Sequence, residues 1–145
     1  GKSLFHSEIG DFIAKDFMRL AEQALTELSH CCPLDQAIKL FLMNLKKLDK
    51  KEIKKINIVL QKQNVIYINS SDSLSKKQTQ EITQTIQKVF ILPQKYKIDF
   101  KVVPELILGL EMHTGDVSVD WSLKSYLDTL NGNLDAVLAN LIAEK

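Results

Sequence analysis

The feature that most constrains the fold is a change in hydrophobic period near residue 63. Before it, apolar residues recur every three or four positions, as they do in amphipathic helices. After it, short runs rich in β-branched residues, and runs that alternate apolar with charged residues, are typical of strands. The sequence therefore predicts an α+β fold, with a helical segment over residues 1–62 and a small α/β domain with a C-terminal helix over residues 63–145.

The helical segment is predicted to contain one long helix and two shorter ones. The long helix covers residues 4–29, the second helix begins at Pro33, and the third follows Asp49, which forms a capping-box pattern with Glu52. The long helix carries an apolar seam at helical spacing: Ile9, Ile13, Phe17, Leu20, Ala24 and Leu28. Two interpretations of this seam stay open, packing on the protein's own core and packing on a partner helix, as in a stalk.

The second segment begins with the pattern of a βαβ unit. Residues 65–68 form a β-branched run, and residues 95–102 alternate apolar with charged side chains. Between them, a helix follows a second capping-box pattern at Ser75 and Gln78 and ends before Pro93. Because a helix separates the two strands, we expect the strands to be parallel.

A hairpin and a last helix are predicted to follow. The hairpin has its first arm at residues 106–113 and a turn at residues 114–116, and Asp120 caps a helix that begins at Trp121. Trp121 is interpreted either as a core anchor that locks this helix to the sheet or as an exposed interface residue. The helix carries a heptad seam: Leu123, Leu127, Leu130, Leu134, Val137 and Leu141. An Asn-Gly-Asn sequence at residues 131–133 predicts a kink or break in it.

The histidines and cysteines do not have the spacing of a chemical site. His6, His30 and His113 lack the spacing of a metal pair, and Cys31 and Cys32 are adjacent, which disfavours a disulfide between them and a zinc site. We interpret the cysteines as packing residues at a helix junction and His113 as a solvent-facing strand residue. No glycine-rich loop follows either strand of the βαβ unit, so no dinucleotide site is expected.

Four carboxylates lie near one another in sequence: Glu105, Glu111, Asp116 and Asp120. Paired carboxylates can perform acid–base catalysis, but turns and helix caps also favour carboxylates for structural reasons. Under the structural interpretation, the sequence predicts a protein with no catalytic residue, no cofactor and no metal.

A short stretch of the sequence is rich in lysine: Lys46, Lys47, Lys50, Lys51, Lys54, Lys55 and Lys62. The net charge of the chain is +1, so no overall field selects a nucleic acid or an anionic membrane. The helical spacing indicates a solvated helix face. The alternative is a nucleic-acid-binding adaptor, although no aromatic residue is interleaved with the lysines as a stacking platform.

The stretch over residues 103–127 carries a family resemblance. The sequence Val-Pro-Glu-Leu-Ile-Leu-Gly-Leu-Glu leads to a Gly-Asp turn, an Asp-Trp-Ser helix start and a leucine seam. This order resembles the C-terminal signature of the delta (OSCP-like) subunits of ATP synthase. The positions that match the signature, or stand in its place, are Pro104, Gly109, Gly115, Asp116, Asp120, Trp121 and Ser122.

Two departures and the first helix relate the chain to a variant of that family. Leu108 replaces the first glycine of the family's pair, and Trp121 replaces the usual small residue before the helix-start serine. With the long helix over residues 4–29, these departures resemble the b subunits of alternate, sodium- or proton-coupled ATP synthases, in which a b-type stalk helix joins a delta-like end. A free delta subunit and the C-terminal part of a b-type subunit both stay open.

The resemblance implies a non-catalytic stator component that links the membrane sector of a rotary ATP synthase to its catalytic head. Its implied partners are the alpha subunits of the head and other stalk subunits, with a homodimer as an open alternative. Its implied place is the cytoplasmic face of a bacterial inner membrane, and the b-type form implies a membrane helix before Gly1. We expect partner contacts on the two helical seams: Ile9, Ile13, Phe17, Leu20, Leu130, Leu134, Val137 and Leu141. Packing of these seams against each other is the alternative.

Overall fold

Four strands form one mixed sheet, and five helices occur in the described residues. The structure is a computed structural model that describes residues 2–29 and 34–143, with side chains over residues 10–27 and 34–140. The strands are β1 (Val65–Ser70), β2 (Lys97–Val102), β3 (Gly109–Thr114) and β4 (Val117–Ser122). The helices are α1 (Lys2–Ser29), α2 (Leu34–Lys46), α3 (Lys50–Lys62), α4 (Lys76–Val89) and α5 (Leu123–Ala143). The predicted α+β class is confirmed. The interpretations of His30, Cys31, Cys32 and Pro33 lie outside the described residues.

The strands are arranged in the order β2-β1-β3-β4. β1 and β2 are parallel, with Val65 opposite Lys97, and α4 connects them, which confirms the predicted βαβ unit. β3 is antiparallel to β1, with Tyr67 opposite His113, and forms a hairpin with β4. The turn of this hairpin requires a left-handed backbone at Gly115, where φ is 58°.

Both predicted helix caps are present. The Asp49 carboxylate accepts a hydrogen bond from the backbone N–H of Glu52 at 2.7 Å, before the first turn of α3. At the start of α4 the capping box is complete, because Gln78 N–H donates to the Ser75 hydroxyl and Ser75 N–H donates to the Gln78 side chain. Each cap satisfies backbone N–H groups that have no partner within the helix.

One hydrophobic cluster joins the sheet to α2, α3 and α4. Its buried strand residues alternate along β1 and β3: Ile66, Ile68, Leu110 and Met112. Its buried helix residues are Ala37, Ile38, Phe41, Leu42, Leu45, Ile56, Leu60, Ile82 and Ile86. Full burial of one large apolar side chain stabilises a fold by about 1.5–3 kcal/mol. The predicted division between residues 62 and 63 stays a prediction, and a boundary there would pass through this cluster.

The first arm of the hairpin begins later than predicted. The strand expected over residues 106–113 is replaced at its start by a 3-10 turn (Pro104–Leu106) and a second tight turn, and β3 begins at Gly109. The reason is topological, because β2 and β3 lie on opposite sides of β1 and the chain must cross the end of β1 between them. At this crossing the Val103 N–H donates to the Ser70 carbonyl at 2.7 Å.

The last helix also begins later than predicted. Asp120 and Trp121, expected as its cap and its first residue, belong to β4, because the ladder with β3 continues to the end of both strands. α5 starts directly after Ser122, whose hydroxyl accepts a hydrogen bond from the backbone N–H of Ser125 at 3.1 Å. Ser122 therefore takes the capping role that was assigned to Asp120.

Of the predicted kink or break at residues 131–133, the break is wrong, because α5 is helical throughout this sequence, and the kink stays a prediction. A glycine in a helix interior costs about 1 kcal/mol relative to alanine. That penalty is smaller than the stabilisation from docking a helix whose Leu127 is buried, with an exposed fraction of 6%.

Candidate functional site

The predicted seam of α1 is exposed. The exposed fractions of Ile13, Phe17 and Leu20 are 51%, 47% and 51%, and that of the neighbouring Phe12 is 74%. These four side chains are called the α1 apolar face below. The side chain of Ile9 lies outside the described part of the chain. Large apolar side chains that are exposed together on one helix mark an interaction surface, whereas isolated ones need no explanation.

A different side of α1, about 100° further round the helix, packs against α5. On this side Gly10 and Ala14 are buried, and Met18, Ala21 and Leu25 are half-buried. Three of the five residues are glycine or alanine, and small side chains let two helix backbones approach closely. Small residues at helical spacing are the sequence signal that could have predicted this contact. The predicted seam was defined by large apolar residues, so it did not include this side of α1.

The seam of α5 is partly covered and partly exposed. Leu127 is buried and Leu134 is half-buried, whereas Leu130 and Val137 have exposed fractions of 39% and 53%. The side chain of Leu141 lies outside the described residues. Tyr126, with an exposed fraction of 58%, extends the exposed side. The two seams therefore do not pack face to face over their described side chains.

Charged residues surround the contact between α1 and α5. A cleft of about 630 Å³ between the two helices is lined mainly by them: Asp11, Lys15, Arg19, Glu22, Asp128 and Asp135. The α1 apolar face lies outside this contact, because Ile13, Phe17 and Leu20 stay about half exposed. That face remains available to another molecule.

A backbone hub at the end of β1 is formed by hydrogen bonds of Ser71, Leu108, Leu123 and the signature residue Gly109. The Gly109 N–H donates to the Ser71 hydroxyl at 3.1 Å, and the Ser71 N–H donates to the Gly109 carbonyl at 3.0 Å. The Leu123 N–H, at the start of α5, donates to the Leu108 carbonyl at 2.9 Å. The remaining signature positions are Pro104 in the 3-10 turn, Gly115 and Asp116 in the hairpin turn, and Asp120, Trp121 and Ser122 in β4. The hub therefore fixes where β1, β3 and α5 meet.

Ile107 has a strained backbone within this hub. Its φ is 70° and its ψ is −61°, and the Leu108 N–H donates to the Leu106 carbonyl at 2.8 Å across it. This is a three-residue γ-turn of the rare kind with positive φ. A β-branched residue in that region is an outlier that costs about 1–3 kcal/mol.

We therefore expect Ile107→Gly to be more stable than Ile107→Ala by about 1 kcal/mol, because both remove the large side chain but glycine also relieves the strain. Urea denaturation of the two variants measures the difference in free energy of unfolding. The matched pair is Ile91→Gly and Ile91→Ala, at an exposed position without positive φ, where alanine should be the more stable. Greater stability of alanine at both positions would contradict the assignment of strain to Ile107.

A second cleft, of about 840 Å³, lies beside the hub. Four of the charged residues that line it are acidic: Glu22, Asp72, Glu105 and Asp128. The fifth is a lysine, Lys124. Within the described side chains, every buried polar nitrogen or oxygen has a hydrogen-bond partner. The cleft therefore presents no buried polar group that awaits a ligand.

The open face of the sheet carries a small polar network around Glu111. Asn69 Nδ2 donates to Glu111 Oε1 at 2.9 Å, and His113 Nε2 lies 3.0 Å from the same oxygen. Burial opposes ionisation, but hydrogen bonds from Asn69 and His113, together with electrostatic attraction from His113 and Lys124, outweigh it and hold the pKa of Glu111 below its ordinary value. A carboxylate that is held ionised in this way suits a structural role better than proton transfer near neutral pH.

The four predicted carboxylates do not converge on one point. Glu105 precedes β3 and Asp116 follows it, so these two lie at opposite ends of the strand. Glu111 and Asp120 are register partners in β3 and β4. Among the described residues, no group of three or more His, Cys, Asp or Glu is arranged to hold a metal ion.

Trp121 links β4 to α5. It is half-buried against the hydrophobic cluster, and its ring meets that of Tyr126 edge to face, with centroids 5.9 Å apart and an interplanar angle of 68°. Such aromatic pairs stabilise by about 0.5–1.5 kcal/mol beyond the area that they bury. This geometry supports the interpretation of Trp121 as an anchor between helix and sheet.

Comparison with known proteins places these features among ATP synthase subunits. The profile of the ATP synthase delta (OSCP) subunit family matches residues 50–134. ATP synthase subunit b 2 of Crocosphaera subtropica is 24% identical over 130 residues, which cover 89% of this chain and 53% of the relative. The subunit b 2 of Picosynechococcus sp. is 25% identical over 133 residues, covering 92% and 52%. That of Nitrosospira multiformis is 32% identical over 74 residues, covering 51% and 25%.

The chain spans about half the length of the first two of these relatives. In the part of the chain that the structure describes, no helix is both long and apolar enough to cross a bilayer. The family match covers more than half of the chain and includes the whole sheet, the hub and the first half of α5. The chain therefore belongs to the ATP synthase delta (OSCP) subunit family, and the resemblance to peripheral-stalk subunits, including those named b, is confirmed.

Proposed function

We propose that this chain is a non-catalytic stator component of a rotary ATP synthase, which links the membrane sector to the catalytic head through helical contacts. The observation that carries the proposal is the exposure of the α1 apolar face on a chain of this family. A protein that holds another protein in place needs a durable interface and no active site.

The length and attachment of α1 suit a helix that resists torque. Rotation of a central shaft exerts torque on the catalytic head, and a peripheral stalk resists that torque. A helix of 28 residues is about 42 Å long at 1.5 Å per residue and is stiff along its axis. α1 has its main contacts with α5 alone among the described elements, so most of its surface is free to run along a partner.

The proposed partners are the alpha subunits of the catalytic head and other stalk subunits, at the cytoplasmic face of a bacterial inner membrane. Support comes from the family match and from the relatives named ATP synthase subunit b 2. A second copy of the chain is the alternative partner for α1. The proposed contact residues are those of the two seams: Ile9, Ile13, Phe17, Leu20, Leu130, Leu134, Val137 and Leu141.

The test is the double substitution Ile13→Asp with Phe17→Asp. Both side chains are about half exposed, so the isolated chain should keep its fold and lose less than about 1 kcal/mol. Placing two carboxylates in an apolar contact between helices should weaken assembly by about a hundredfold or more, because an unpaired charge is costly to bury. Co-purification of the other ATP synthase subunits with the tagged chain measures the effect.

The matched control is Gln80→Asp, which adds a carboxylate at an exposed polar position of another helix, α4. It should leave assembly within about twofold of the original, since a surface substitution away from an interface has a small effect. Intact assembly with the double variant, or equal loss with the control, would remove the α1 apolar face from the proposal. Circular dichroism of each variant verifies that α1 is still formed.

A further inference from the structure

One side of α3 is covered with lysine. Five exposed lysines lie on it: Lys50, Lys51, Lys54, Lys55 and Lys62. With 3.6 residues per turn they span about 140° of the helix surface, and Glu52 lies about 60° outside this arc. The opposite side of α3 carries Ile56 and Leu60, which are buried in the core. We call the five residues the α3 lysine arc.

The lysine arc is not neutralised by the chain's own carboxylates. Over the described residues, none of its lysines forms an ion pair, and the ion pairs that are formed involve Arg19 and His113. The positive charge of the arc is therefore directed to solvent. A cluster of one sign of charge steers an oppositely charged partner during association.

One exposed isoleucine, Ile58, gives the lysine arc an apolar centre, and a second, Ile91, lies beside the edge of the arc near Lys50. Ile58 lies in the middle of the arc, one turn from Lys54 and Lys62, and has an exposed fraction of 52%. Ile91 follows α4 and has an exposed fraction of 69%. Its N–H donates to Asn57 Oδ1 at 2.9 Å and its carbonyl accepts from Gln61 Nε2 at 3.3 Å, so its backbone is held beside α3.

We propose that this α3 surface docks an acidic amphipathic helix of a partner protein. An apolar centre inside a charged rim is the anatomy of a protein–protein contact. The convex surface of one helix cannot enclose an extended peptide, but it can pack against a second helix whose apolar stripe covers Ile58 and Ile91 and whose flanking carboxylates face the lysines. This is the arrangement of charges beside a helix–helix seam.

The residue types on the surface favour a protein over a nucleic acid. The arc contains no aromatic side chain for stacking on bases and no arginine for bidentate contacts, and the single arginine of the chain, Arg19, lies on α1. The surface shares no residue with the α1 apolar face, so it is a second contact and does not depend on the stator proposal.

The first arm of the test uses a synthetic helical peptide of about 20 residues, with leucine on one stripe and glutamate beside it. Binding is followed by the backbone amide NMR shifts of the complete chain, and the shifts should concentrate at residues 50–62 and at Ile91. The affinity should fall as salt is raised, since screening weakens exposed charge pairs. A peptide with serine in place of leucine should bind about tenfold more weakly. No binding of the leucine peptide overturns the proposal.

The second arm uses the triple variant Lys51→Glu, Lys54→Glu and Lys55→Glu. Acidic residues are favoured in the first turns of a helix, so α3 should remain folded. The variant should bind the leucine peptide at least about tenfold more weakly. The matched control reverses the same number of charges around β2: Lys95→Glu, Lys97→Glu and Lys101→Glu. The affinity of this control for the leucine peptide should stay within about twofold of the original. An equal loss of affinity in both variants would mean that the net charge of the chain causes the effect, and it would overturn the proposal.

The third arm separates the partner classes with two further probes, a polyuridine RNA and vesicles of phosphatidylserine with phosphatidylcholine. We expect both to bind more weakly than the leucine peptide, because neither presents an apolar stripe with flanking carboxylates. If either probe binds more tightly than the leucine peptide, and the triple α3 variant loses that binding, the partner of this surface is a nucleic acid or a membrane. That result would overturn the proposal.

Discussion

Replacing Gly109 with alanine should remove about 3–5 kcal/mol from the free energy of unfolding. The φ of Gly109 is 137°, a conformation that residues with a side chain rarely adopt. A Cβ atom at this position would lie 2.1 Å from the Trp121 carbonyl oxygen and 2.5 Å from the Ser122 Cα. Both atoms belong to the backbone of β4, so the clash cannot be relieved by a change of rotamer.

The measurement is urea denaturation followed by the fluorescence of Trp121, the single tryptophan of the chain, which packs at the site of the change. A loss of this size is a large part of the 5–15 kcal/mol that stabilises a typical domain. We therefore expect the variant to be partly unfolded at physiological temperature.

The matched control is Gly132→Ala. A Cβ at Gly132 would have no heavy atom within 4 Å, and the residue lies in the exposed interior of α5. Alanine should therefore stabilise the helix by about 0.5–1 kcal/mol. A Gly109→Ala variant as stable as the original would contradict the close approach of β3 and β4 at the hub.

Replacing Phe41 with alanine should cost about 3–5 kcal/mol and should destabilise the sheet as well as the helices. Phe41 lies on α2, and its side chain is fully buried in the cluster that also contains Ile68 and Leu110 of the sheet. Removing its ring leaves a cavity that the surrounding side chains fill incompletely. Because the cluster spans α2 and the strands, we expect one cooperative unfolding transition that shifts as a whole.

The Phe41→Ala substitution also tests the predicted division between residues 62 and 63. If two independent domains meet there, Phe41→Ala should shift one transition and leave the tryptophan signal of the sheet unchanged. The control is Leu40→Ala, the neighbouring residue on α2 with an exposed fraction of 37%, which should cost about 1 kcal/mol or less. Coincident shifts of helix circular dichroism and tryptophan fluorescence would instead place α2 and the sheet in one folding unit.

The elements that could be predicted from the sequence are those held together by local interactions. The caps at Asp49 and Ser75 join groups three residues apart, and they are present as predicted. The alternation in β2 follows from the pleat of a strand, and the parallel pairing of β1 with β2 follows from the helix between them.

The errors lie where distant parts of the chain meet. Residues 106–113 alternate like a strand, but the chain has to cross the end of β1, and that crossing places a 3-10 turn and the strained Ile107 where a strand was predicted. Asp120 resembles a helix cap, but pairing with β3 keeps it in β4. Local preference is worth about 1 kcal/mol at such positions, and several ladder hydrogen bonds and buried side chains together outweigh it.

By itself, the sequence determined the fold class, the order of the elements, the family signature and the absence of a recognisable catalytic pattern, because these depend on the period and spacing of neighbouring residues. The tertiary structure alone decided which side of α1 is covered. α1 packs the side that contains Ala14 against α5 and leaves Ile13 and Phe17 exposed, whereas the buried Leu60 and exposed lysines of α3 follow the pattern already predicted from its sequence. Periodicity shows that a helix has an apolar stripe, but whether that stripe meets the chain's own core or another molecule depends on contacts between residues far apart in sequence.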